Sequence, residues 1–417
     1  MNKQGFIKSG HTPTLISALL YFDVSFMVWV ILGPLAPFLR EQFGLSATAQ
    51  GLLVAVPLLG GSLFRPILGV MGDRIGGRRT GLLGLVLTLT ALIIGWTAAS
   101  APWHLFVLGF FLGIAGASFA VALPLASRWY PPEYQGLAMG IVGAGNSGSL
   151  MATMFAPRLA ERLGWAATFG VALIPVACVT VLFALLAKES PVKTKRLGWS
   201  DYVEILREPD TLWFSLLYSL TFGGFVGFTS FLTTFFREQY HVSRVSAGDF
   251  TTVVVVSGSL MRPLGGWLSD RIGGYRVLLL LLALVSVCLG LVALLPPIAL
   301  AVTLLFVAVG CLGMGNGAVF QLVPQRFAGR MGIITGVVGA AGGLGGFFLP
   351  SILGAARDAT GTYTAGLMVV AFAFAAGTMM LLEVGARWTT RWESAAVKQT
   401  GLFSYRSTTL GTTRDMA

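Results

Sequence analysis

Apolar runs of about twenty residues, each long enough for a helix to cross a ~30 Å hydrocarbon layer, recur from one end of the sequence to the other. The first runs from about Leu15 to Leu39, and the last lies near 362–385. Roughly twelve can be placed, parted by short polar loops. Of the 417 residues 55% are hydrophobic and 11% charged, whereas a soluble domain carries roughly 25% charge. So little charge cannot cover a water-facing surface, and lipid is the expected solvent. The first run is too long for the core of a secretory leader and lacks a small-residue cleavage site, so it is expected to be retained as a span. The expected fold is an all-α membrane protein of twelve transmembrane helices in two six-helix bundles related by pseudo-symmetry.

That symmetry is written in one repeated oddity. Residues 61–80 read GSLFRPILGVMGDRIGGRRT and residues 258–277 read GSLMRPLGGWLSDRIGGYRV. Gly61, Ser62, Arg65, Pro66, Asp73, Arg74 and Gly76 match Gly258, Ser259, Arg262, Pro263, Asp270, Arg271 and Gly273. A second pair, GLAMGIVGAGNSG (136–148) and GIITGVVGAAGGL (332–344), nearly aligns. Parallel repeats with a site at their interface are a transporter plan. The expected division is a first bundle over 1–187, a linker over 188–210, a second bundle over 211–386 and a tail over 387–417.

The net charge of +11 could suggest nucleic acid, but such proteins cluster their basic residues on a soluble face. Here Lys and Arg collect in alternate loops, the pattern that sets membrane topology. It places both termini, the 188–210 linker and the tail in the cytoplasm. Cys178, Cys288 and Cys311 lie inside apolar runs, and His11, His104 and His241 are scattered. Neither set has ligand spacing, so no metal, cofactor or disulfide framework is expected.

The loop Gly69, Asp73, Arg74, Gly76, Arg78 and Arg79 resembles the motif joining helices two and three in the major facilitator superfamily. Its second copy keeps Gly266, Asp270, Arg271, Gly273 and Arg276 but has Tyr275 in place of a basic residue. More narrowly, GIVGAGNSG and GVVGAAGGLGGFFLP resemble the paired glycine-rich signatures of the nitrate/nitrite porter family. The resemblance implies that Arg65 and Arg262 bind substrate and that Phe119 and Phe320 sandwich it. It also implies that Tyr218 and Phe222 line the cavity and that Asn146 supplies a polar contact. Where the first signature has Asn146 the second has Gly342, so that contact would come from one half alone. Asp73/Arg74 and Asp270/Arg271 would form a gate at the cytoplasmic face. A monomer in the cell inner membrane is expected.

The residues point the same way without the family. Arg65 precedes Asp73 by eight residues, or ~12 Å along a helix, so it and Arg262 sit well inside the hydrocarbon. An arginine can snorkel, yet the one acid at comparable depth is Asp23. Intramembrane ionisable residues usually mark substrate pathways. Two arginines and one carboxylate leave an excess positive charge, whose missing partner is an anion. The planar guanidinium fork suits a small flat oxyanion: nitrate, nitrite or a small carboxylate such as formate. Phe119 and Phe320, among 29 phenylalanines, read equally as packing, and the glycines of the paired signatures read mainly as close-packing positions.

The expected function is therefore secondary transport of nitrate, and of nitrite, with no enzymatic step. Asp23 is the candidate proton-coupling group: a carboxyl that takes a proton when the anion binds would permit symport. The alternatives are strict nitrate/nitrite exchange and a small-carboxylate porter of the oxalate/formate kind.

Overall fold

The structure is a computed structural model that describes residues 6–190, 199–327 and 331–391. The middle of the expected linker and the expected tail beyond 391 lie outside the described residues. In the first half the chain forms α1 (Thr12–Trp29), α2 (Leu32–Phe43), α3 (Ala47–Ile75), α4 (Gly77–Thr97), α5 (Pro102–Gly116) and α6 (Phe119–Ser127). It continues through α7 (Pro132–Gly143), a 3-10 turn at Ala144–Ser147, α8 (Gly148–Leu163) and α9 (Trp165–Leu186). A short α10 (Trp199–Arg207) lies in the connection. The second half holds α11 (Pro209–Tyr240), α12 (Arg244–Ile272), α13 (Gly274–Val292), α14 (Ile298–Phe327), α15 (Met331–Thr360) and α16 (Thr364–Arg391).

Three first-half spans are broken where their second-half counterparts run straight. α1 stops at Val30, where Pro34 cannot donate to the preceding turn and α2 begins. α5 and α6 part at Ala117–Ser118. The glycine-rich 144–147 segment tightens to a 3-10 turn, whereas α15 stays helical throughout its matching stretch.

Ten described helices are long and apolar enough to span a membrane on their own composition. The two expected spans that fall short are α7–α8 and α12. The 29 residues of α12 would reach about 43 Å, but they include Arg244, Asp249, Arg262, Asp270 and Arg271. α8 and α12 pack against each other across the halves, so each turns less of its surface to lipid. α12 is long enough to span despite its charges, and α7–α8 reaches a spanning length only across its 3-10 turn.

The halves also meet where α3 lies along α15 and α2 along α11. A β-carbon on Gly51 or Gly354 would collide with the facing backbone at Pro350 or Ala47. Glycine is what lets α3 and α15 approach so closely.

Ion pairs between halves gather on one face, opposite the 188–210 connection. Arg40 pairs with Glu238, Arg244 with Glu41 (2.9 Å) and Glu161 (3.7 Å), Arg237 with Glu41 (3.4 Å) and Arg158 with Asp249 (2.7 Å). Asp358 accepts from the backbone N–H groups of Ala47 (3.0 Å) and Thr48 (2.7 Å) at the start of α3. An anionic side chain there also complements the helix dipole. Tyr363 donates to Glu238 at 2.7 Å; burial first, then that carboxylate, push its phenol above the ordinary range.

On the connection face the pairs stay within one half: Asp73 with Arg128 (2.8 Å) and Arg326 with Asp210 (2.6 Å). Asp270 and Arg271 are exposed, and Arg271 stacks on Trp267 of its own helix. The expected gate residues thus make no described ion pair between halves, and the molecule is fastened at the opposite face.

Each exposed pair is worth ~0.2–1 kcal/mol, so losing those of Glu41 and Glu238 together should move the conformational balance by about tenfold. Glu41→Gln with Glu238→Gln should lengthen the distance between spin labels on Gln42 and Gln239. An unchanged distance distribution would show that the pairs do not hold this face shut.

Candidate anion site between the halves

Arg65 is 1% exposed. Its Nε donates to the carbonyl of Gly116 at 3.2 Å, and its Nη1 to the carbonyl of Gly339 on α15. Its Nη2 is buried without a hydrogen-bond partner. The Cζ lies 5.0 Å from the Trp29 ring, 5.0 Å from Phe222 and 5.5 Å from Phe119. Burying a charge is costly unless something answers it. Two carbonyls and three aromatic faces do so here, with no carboxylate involved.

Arg262 occupies the related place on α12. Its Cζ is 6.0 Å from the Phe119 ring, and a β-carbon at Gly143 on the first-half glycine-rich helix would lie 3.6 Å from it. Its Nη1 is also buried and unpartnered. Each arginine therefore reaches across to the opposite half's glycine-rich helix, Arg65 to Gly339 and Arg262 to Gly143. Among the described residues no salt bridge engages either one.

The aromatic wall is continuous. Tyr218 stacks on Phe222 (5.1 Å between centroids, 5° between planes) and meets Phe320 edge-on at 5.0 Å. Phe320 is 6.3 Å from Phe119, which is 5.6 Å from Phe22. The Tyr218 hydroxyl is fully buried without a partner and faces the Arg262 guanidinium.

Asn146 sits in the 3-10 turn, three residues after the Gly143 that packs beside Arg262. It is fully buried, and neither amide atom has a partner. The structure thus brings Arg65, Arg262, Phe119, Phe320, Tyr218 and Phe222 together between the halves, with Asn146 one turn from Gly143 beside Arg262. Asp73, Arg74, Asp270 and Arg271 lie far from it, at helix ends.

Asp23 lies on α1 beside the glycine-rich turn, and its Oδ1 accepts from Ser147 Oγ at 2.7 Å. The repeat pairs Asp23 with Ser219, whose hydroxyl fastens α11 to Ala341 of α15 at 2.8 Å. Each of the two side chains thus bonds to the glycine-rich segment of its own half.

Two residues escaped the sequence reading. Trp29 closes the floor beneath Arg65: its indole donates to the Pro57 carbonyl at 2.7 Å, and β-carbons at Gly61 or Gly116 would collide with its ring. Phe22, Phe26 and Trp29 form an aromatic stripe at helical spacing that matches Tyr218, Phe222 and Phe225 in the second half, and that match was the available signal. The other is Asn316 on α14, fully buried with both amide atoms unpartnered. It stands one turn from Phe320 in GMGNGAVF.

Comparison with known proteins shows the family and the fold. Residues 18–350 match the profile of the Major Facilitator Superfamily. A protein of Mycobacterium tuberculosis described as a probable nitrate/nitrite transporter is 37% identical over 387 residues, covering 90% of this chain and 97% of its own length. The nitrite extrusion protein of Bacillus subtilis is 35% identical over 83% of this chain and 87% of its own. A probable nitrate/nitrite antiporter of Thermus thermophilus is 30% identical over 82% and 84%. Among solved structures, a xylose transporter of E. coli superposes with a TM-score of 0.72 at 14% identity, covering 90% of this chain and 99% of that one. That last likeness concerns the fold alone. With the superfamily profile matched over most of the chain and relatives of 30–37% identity matched along most of their length, this chain is a multi-pass membrane transporter, not an enzyme, and belongs to the nitrate/nitrite porter family of the Major Facilitator Superfamily.

Proposed function

We propose that the chain exchanges nitrate for nitrite across the cell inner membrane by alternating access. The observation that carries this reading is the pair of arginines, one from each half, each keeping a buried N–H without a partner inside an aromatic-walled pocket. A flat monovalent anion takes in-plane bonds from both forks while rings cover its faces. Two guanidiniums without a carboxylate repel one another, so the halves rock most readily with an anion between them. That favours exchange, as does the naming of one relative as an antiporter and another as an extrusion protein. The basic loops support cytoplasmic termini. Both arginines come from one chain, which supports a monomer as the working unit.

One observation favours proton-coupled uptake as a second reading. Asp23 is bonded to Ser147, the immediate neighbour of Asn146, so a proton on the carboxyl would be felt at the substrate amide.

Proteoliposomes separate the two. Exchange requires nitrate or nitrite inside the vesicle, is indifferent to an imposed pH gradient and survives Asp23→Asn. Accumulation of nitrate in anion-free vesicles, driven by an inward proton gradient and lost in Asp23→Asn, would establish symport instead. Formate moving as fast as nitrate would sink the assignment of substrate.

A further inference from the structure

We infer that Asn316 is a second amide ligand for the anion, supplied by the second half from a different helix than the first half uses. This rests on the nitrate/nitrite reading of the site and extends it by one contact.

The repeat places Gly342 where the first half has Asn146. The reason is steric: a β-carbon at Gly342 would come 2.6 Å from the Tyr218 ring and 3.0 Å from Phe222. The volume an asparagine would need there is already filled by aromatic rings. The second half can bring an amide to the pocket only from elsewhere.

α14 offers one. Gly317 packs against the backbone at Arg262, Gly265 and Gly266, which sets this turn of α14 at the depth of Arg262. Gly315, on another side of the helix, packs on Thr221 of α11. Residues four apart share a helix face, so Asn316 looks the same way as Phe320, whose ring meets Tyr218 and Phe119 in the pocket.

Buried amides are nearly always hydrogen-bonded, and an exception calls for a reason. Asn316 has both amide atoms buried and unpartnered, as do Asn146 and the free nitrogens of Arg65 and Arg262. An amide NH2 has two donors; aimed beside a guanidinium, it suits an oxyanion. The first half then contributes Arg65 and Asn146, and the second contributes Arg262, Tyr218 and Asn316.

The test is calorimetric titration of the purified chain with sodium nitrate, beside its thermal unfolding without nitrate. Replacing an unpaired buried amide by an apolar side chain is nearly neutral for folding, so Asn316→Leu should unfold at the wild-type temperature or above. Its affinity for nitrate should fall by tenfold or more. Asn316→Ala, which introduces no extra bulk, should show the same split. Wild-type affinity in both variants would overturn the inference. So would a large loss of stability without nitrate in both, since the amide would then be a structural fastener. A wild-type chain that binds no nitrate would overturn the proposed substrate itself, and is told apart by that arm alone.

Discussion

Arg65→Lys and Arg262→Lys are each expected to cut nitrate counterflow by about 100-fold or more, the scale of losing one member of a buried charge contact. Lysine keeps the positive charge but concentrates its donors on one nitrogen. Arg65 uses separate nitrogens for Gly116 and Gly339 and leaves a third free. An ammonium cannot serve three directions that far apart, and it cannot lie flat against Trp29 and Phe222. The two variants should differ in stability. Arg65→Lys loses two hydrogen bonds to backbone carbonyls, one of which crosses the halves, and should unfold at lower temperature. Arg262, with no protein acceptor on its free nitrogen, should lose transport with little change in stability. Near wild-type counterflow in either lysine variant would mean that the anion is not held by a planar fork there.

The second large effect is expected at Gly148. A β-carbon there would overlap the carbonyl oxygen of Asp23 and sit 3.0 Å from the backbone nitrogen of Met27. Both obstacles are helix backbone and cannot rotate away, so α1 would have to leave α8. Overpacking a tight site costs ~1–3 kcal/mol and sometimes more; with rigid backbone on both sides, the upper end applies. Gly148→Ala should lower the unfolding temperature and abolish transport. Gly345→Ala should do the same in the second half, where the obstacle is the carbonyl of Ser219. The controls are Gly136→Ala and Gly140→Ala, in the same signature, where a β-carbon meets nothing within 4 Å. If all four variants behave alike, the packing explanation of the signature is wrong.

The spans and the arginine pair were legible because each leaves a one-dimensional trace. A spanning helix needs a continuous apolar run, and a repeated arginine within one stands out against it. α12 was readable through the repeat even though its charges weaken the apolar signal, and α7–α8 even though its glycine-rich turn splits it into two short helices. What the sequence hid depends on distant strangers meeting. Arg40, Glu41, Glu238 and Arg244 look like ordinary helix-end charges, and only folding sets them face to face. Asn316 was invisible because nothing in GMGNGAVF tells which side of α14 looks inward until Phe320 is seen against Tyr218.

The one-sided fastening between halves makes one face of the molecule sensitive to the solution it meets. Ion pairs at exposed helix ends weaken as dissolved salt shortens the range of their attraction, which falls from ~10 Å at 0.1 M to ~3 Å at 1 M. Arg65 and the rings around it are buried and shielded from the same ions. Salt on the side of the membrane that this face meets would therefore act on which way the resting carrier points and leave its grip on the anion nearly alone, making the solution there a bias on the direction from which the next ion is taken.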